Sequence, residues 1–200
     1  MKRFSVLLLL LIVLPLVSCG SVEPVVEANA VDITAEATDL GEGFDLVEES
    51  DLAAILERLD IAPEDQGTMT DANRRVFIGT ASETAGDETP LTETQVIVTV
   101  MIYNAAGAAQ TGFNETRDSL KTVLGEDLAL VEVNAATVGD QSEFWSAEES
   151  NQEANVYLFL GRRLNVLIVV MTVGPAEITQ TWVLSLGQTL INRVPVPVAE

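Results

Sequence analysis

Residues 92–103 constrain the fold more than any other stretch. Val96, Val98, Val100 and Ile102 alternate there with Gln95, Ile97, Thr99 and Met101. Side chains alternate between the two faces of a strand, so a period of two reads as β-structure. Both faces are largely apolar, which places this strand in the middle of a sheet. Two further strong strands, Asn155–Leu160 and Leu164–Val173, are joined around Gly161-Arg162-Arg163 as a hairpin. Weaker strand patterns cover Arg74–Ser82, Leu128–Val133 and Ser142–Ala147. Ala85–Pro90 and Val138-Gly139-Asp140 read as turns.

Helical spacing marks three segments. Leu52, Ile55, Leu56 and Leu59 repeat at helical intervals after Ser50, a candidate N-cap, and Pro63 ends that helix. Phe113, Arg117, Leu120 and Leu124 share one face of a helix over Ala109–Leu124, with Gly125 as its C-cap. Pro175 suits the first position of a last helix running to about Asn192, with Ile178, Trp182, Leu186 and Leu190 on one side. The order is helix, two strands, helix, three or four strands, helix. Strands joined by hairpins imply a mostly antiparallel sheet with helices packed on it, an α+β fold.

The N-terminal part has a different composition. Met1-Lys2-Arg3 is basic, and Phe4–Val17 is apolar apart from Ser5 and Pro15. That run suits a signal-peptide core and is short of the roughly 20 residues a membrane-spanning helix needs. From Gly20 to Glu49 there are nine acids and no base, with weak hydrophobic periodicity. Such a segment is expected to repel itself and act as a flexible tether spanning about 30 Å. The expected division is therefore 1–18 leader, 19–49 tether, 50–194 folded domain and 195–200 extended tail.

Cys19 is the single cysteine, and it follows the apolar run directly. No internal disulfide is possible, so the fold rests on its core. Leu16-Val17-Ser18-Cys19 resembles the lipobox of bacterial lipoproteins. The resemblance implies that Cys19 is lipidated on sulfur and becomes the N-terminus after the leader is cut. It also implies anchoring on the extracytoplasmic face of a membrane, the periplasmic face of the outer membrane if the cell has two. Two or more acyl chains give stable anchoring where one is marginal.

The domain itself resembles the Mog1/PsbP-like α/β/α sandwich. The Val138-Gly139-Asp140 turn, the hairpin from Val156 to Val170, and a final helix with Ser185 and Gly187 in its middle carry that likeness. The resemblance implies a module for binding, assembly or sensing, without catalysis. Fold alone does not give function.

Much chemistry is missing from the chain. There is no histidine, which excludes His-based triads and histidine-ligated metals. With Cys19 acylated no thiolate remains, and Lys121 lies two residues from Ser119, so the pair does not share a helix face as a Ser-x-x-Lys dyad would. Gly41-Glu42-Gly43 lacks the Lys and Ser/Thr of a phosphate loop. Calcium could be offered oxygens by Thr84, Asp87, Glu88 and Thr89, or by Glu126 and Asp127, but EF-hand spacing is absent and polar loops are the plainer account. No cofactor is expected.

The candidate contact residues are Arg162 and Arg163 at the hairpin, Trp145 between acids, and Tyr103 beside Asn104 at the end of the central strand. Arginine pairs would suit an anionic group, and an exposed Trp would suit a protein partner. Each has a structural alternative: the arginines pairing with neighbouring carboxylates, Trp145 in the core, and Tyr103–Asn104 as a strand end. From Cys19 onward the chain carries eight bases and 31 acids, a net charge of −23. That charge argues against nucleic acid as a partner. The expectation is a membrane-anchored binding or sensing module for a protein or small ligand. The alternatives are an assembly subunit of a membrane complex, or a hydrolase with paired carboxylates.

Overall fold

The computed structural model describes residues 24–58, 67–80, 93–127, 129–149, 154–175 and 179–196. The leader, Cys19, Pro63, the turn expected over Ala85–Pro90, the calcium candidates Thr84 to Thr89 and residues 197–200 lie outside them. The fold is α+β. One seven-stranded sheet has the order β1-β2-β3-β7-β6-β5-β4, and every pairing is antiparallel. The strands are β1 Phe44–Asp51, β2 Met69–Thr80, β3 Glu93–Tyr103, β4 Val131–Glu132, β5 Gln141–Glu149, β6 Ala154–Arg163 and β7 Val166–Pro175. The helices are α1 Ala30–Ile33, α2 Ala37–Leu40, α3 Leu52–Arg58, α4 Ala106–Asp127 and α5 Gln180–Arg193. Among the described residues no helix is long and apolar enough to cross a membrane.

Alternation along the central strands builds the two sides of the sheet. Val96, Val98 and Val100 of β3, with Val166, Ile168 and Val170 of β7, face a core shared with α1 and α5. Leu167 of β7 and Leu158 and Leu160 of β6 face the other core, where Phe113 of α4 packs. Helices thus cover both faces of the sheet, which is what a strand apolar on both sides requires.

The segment read as a tether is folded from residue 24 onward. Val26, Ala30, Ile33, Ala35 and Leu40 are buried in the α5-side core, and β1 forms one edge of the sheet. The wide spacing of these apolar residues hides them among acids in the sequence. Full burial of a Val, Ile or Leu contributes about 1.5–3 kcal/mol, whereas repulsion between solvated surface charges is about 1 kcal/mol or less per pair. Burial wins, and most of the acids line the outside. Arg193, at the end of α5, ties the segment down by donating to Thr34 O at 3.0 Å and pairing with Asp39.

Other boundaries shift for local reasons. Ser50 lies on β1, and the N-terminus of α3 is capped by Asp51, whose Oδ1 accepts from Ala54 N at 2.9 Å. Helix α4 runs through Gly125 to Asp127, so Glu126 and Asp127 belong to a helix and not to a loop. Residues 161–163 belong to β6, and the chain reverses at Leu164-Asn165, with Leu164 in the left-handed region at φ 55. Pro175 ends β7, and α5 begins after Thr179, whose Oγ1 accepts from Trp182 N at 3.3 Å.

Candidate functional site

Asn165 organises the region where the chain enters the fold. It is fully buried in the β6–β7 turn. Its Oδ1 accepts from Val26 N at 2.7 Å, and its Nδ2 donates to Val26 O at 3.2 Å and Tyr103 O at 2.8 Å. Four residues further on, Ala30 N donates to Asp71 Oδ2 at 2.7 Å. Residues 26–30 are thereby strapped across the ends of β2 and β3, and an open hollow lies on each side of the strap.

The smaller hollow, about 460 Å³, is lined by Val25, Val26, Thr70, Ile102, Tyr103 and Asn104, among others. The larger, about 660 Å³, is lined by Val31, Glu49, Asp51, Asp71 and Asn73. Asn29 lines both. Volumes of this size suit small ligands. In the larger hollow Glu49 is already committed: Arg75 Nη2 lies 2.8 Å from its Oε1, and Asn73 Nδ2 donates to the same oxygen at 3.1 Å. The bond from Arg75, then that from Asn73, holds the Glu49 carboxyl below its ordinary value. Asn73 is 5% exposed, and its Oδ1 is buried without a hydrogen-bond partner.

Of the four residues singled out in the sequence, only Tyr103 lines either hollow. Arg162 is buried; its Nη1 donates to Leu164 O at 3.0 Å and stands 3.9 Å from Asp140 Oδ2. Arg163 Nη1 donates to Ile191 O at 3.2 Å, at the carboxyl end of α5 where a cation is favoured. Trp145 is 2% exposed in the α4-side core, with Lys121 Nζ 5.3 Å from its ring centroid. The structure thus turns Arg162, Arg163 and Trp145 towards the protein. The residues that surround the larger hollow went unread, because their carboxylates and amides are scattered from residue 29 to residue 73 with no spacing that links them. Asn165 was the readable one, as Asn is favoured in turns.

Burial, and secondarily the charge of Glu115, push the Tyr103 phenol up to about 12 from 10.0. The folded state therefore retains a proton that the unfolded chain releases. Its contribution to stability is full below pH 10 and is lost as pH rises through about 12. Of the two tyrosines, one phenolate should accordingly appear in an absorbance titration only near pH 12, and Tyr103→Phe should abolish that late step.

No protein-family model matches the chain, and no curated protein sequence matches it. Among solved structures, the extracellular domain of PknH from Mycobacterium tuberculosis matches with a TM-score of 0.53 over 84% of this chain and 97% of that chain. The likeness is one of fold. Sequence identity is 12%, too low to carry site residues across. Among the described residues no group of three or more carboxylates is arranged to hold a metal ion.

Proposed function

We propose that the protein is a lipid-anchored, extracytoplasmic binding or sensing module without catalytic activity, and that its ligand enters the larger hollow beside the N-terminal strap. The observation that carries this reading is Asn73, which lines an open hollow and whose buried Oδ1 has no hydrogen-bond partner. A polar atom left unpaired away from water is costly, and a bound donor would relieve it. The solved domain of like fold is an extracellular one, which is consistent with the same side of a membrane.

Cys19 serves in this reading as the lipid attachment. Val26 lies only seven positions after it, so the connecting chain can hold the domain no farther than about 25 Å from the bilayer surface. The two hollows would then open close to the membrane. An assembly subunit would instead present a contiguous apolar patch. Among the described residues the exposed large apolar ones are dispersed: Val25 and Val31 line the hollows, Leu46 and Val47 lie on β1, Val131 lies on the opposite edge of the sheet, and Val196 follows α5.

Two measurements test the proposal together. Alkyne-fatty-acid labelling should mark the wild type and leave Cys19→Ser unlabelled. Native mass spectrometry of protein drawn from its own membranes should find a small molecule on the wild type. Ala54→Trp, which fills the larger hollow from an exposed position, should lose that molecule. Identical bound species on both proteins, or an unlabelled wild type, would refute the proposal.

A further inference from the structure

We propose that the larger hollow takes an organic cation, a guanidinium or primary ammonium head on an apolar stem, held by Asp51, Asp71 and Asn73. This rests on the reading of that hollow as a ligand site and adds the class of ligand.

The balance of donors and acceptors carries the inference. Each side-chain donor group of the lining already gives a hydrogen bond inside the protein. Asn29 Nδ2 donates to Asp32 Oδ2 at 2.9 Å, Ser50 Oγ to Glu48 Oε1 at 3.3 Å, and Asn73 Nδ2 to Glu49 Oε1 at 3.1 Å. The surplus is in acceptors. Asp51 and Asp71 each receive one backbone N–H on a single oxygen, from Ala54 and Ala30 respectively. The Asn73 carbonyl receives nothing. Among the described residues the cations of this region are used elsewhere: Arg75 stands on Glu49 and Arg74 on Glu48. The site therefore asks for several N–H donors and positive charge, and an anion would meet three carboxylates.

Two features choose an organic cation over a metal. Among the described residues no group of three or more carboxylates is arranged to ligate an ion. Beside them stand Val31, 44% exposed, with Ala54 and Ala72, an apolar wall of little use to a hydrated ion. A guanidinium offers five N–H donors in a fixed fork, which matches carboxylates together with an amide carbonyl.

The test is a chemical-shift titration of the full lipidated chain, ¹⁵N-labelled, in nanodiscs. Butylguanidinium should give saturable shifts at the Asn73 side-chain amide. Butylurea, nearly isosteric and neutral, should bind at least about tenfold more weakly, as losing a charge-assisted hydrogen bond predicts. Asp51→Asn and Asp71→Asn should each weaken butylguanidinium by about tenfold, while Asp45→Asn, an exposed change of equal charge outside the lining, should not. Asparagine retains an acceptor for the Ala54 and Ala30 N–H groups, and equal melting temperatures check that the fold is intact.

Acetyl-Ala-Arg-Ala-amide separates the sources. Binding equal to butylguanidinium points to a free cation, and tighter binding points to a side chain of a protein. Equal binding of butylurea, no saturable shift with either cation, or tighter binding of calcium chloride at the same residues would overturn the inference. If the molecule displaced by Ala54→Trp proves neutral or anionic, the hollow remains the ligand site and only the cationic class falls.

Discussion

Replacing Asn165 with Ala should cost the domain about 3 kcal/mol and lower its melting temperature by roughly 6–12 °C. The side chain is fully buried and satisfies three backbone groups, Val26 N, Val26 O and Tyr103 O. Truncation removes all three bonds and leaves those groups without partners, each at a cost of about 1 kcal/mol or more. Asn165→Asp preserves the shape but cannot donate, and it sets a charge against two carbonyl oxygens. It should be at least as damaging. A global loss alone would not identify the strap, so hydrogen exchange is the sharper readout. The amides of residues 26–40 should lose more protection than those of β7 in both variants. A loss under about 1 kcal/mol with unchanged exchange at Val26 would mean that the core residues Ala30 and Ile33 hold the strap alone.

The strap also shows where reading the sequence stops working. Strands β3, β6 and β7 and helices α4 and α5 were legible because each repeats one period over ten or more residues. The N-terminal segment contributes single anchors, Val26, Ala30, Ile33 and Leu40, to a core built mostly by strands and a helix far away in the sequence. No local period records such contacts. Its acids suggested repulsion, yet most sit where water screens them, and Asp39 is paired with Arg193. The hairpin turn was misplaced by two or three residues for a related reason. Gly161 is a small residue suited to a turn, but it is small here because a ring lies on it. The hollow was the least legible feature. Asp51, Asp71 and Asn73 carry no pattern in the sequence, and it takes the antiparallel register of β1 on β2 to set Asp51 opposite Asn73.

That ring carries the second large effect. Phe159 is fully buried on the α5 side of β6. It lies between two glycines: a Cβ on Gly161 would stand 2.6 Å from its Cζ, and a Cβ on Gly187 of α5 would stand 2.7 Å from its Cε1. Helix and sheet approach closely here because neither has a side chain, and the ring fills the gap. Phe159→Ala should cost about 3–5 kcal/mol by leaving a cavity. Gly187→Ala should cost about 1–3 kcal/mol, since the methyl meets the ring and the helix must move off the sheet. The two changes should not add. With the ring gone, the methyl enters the space it vacated and gains the higher helix propensity of Ala, about 1 kcal/mol. Gly187→Ala should therefore change sign, destabilising the wild type and stabilising Phe159→Ala. Denaturant midpoints for the four proteins of the cycle measure this directly. Additive losses would show that Gly187 is small for the backbone of α5 and not for the ring.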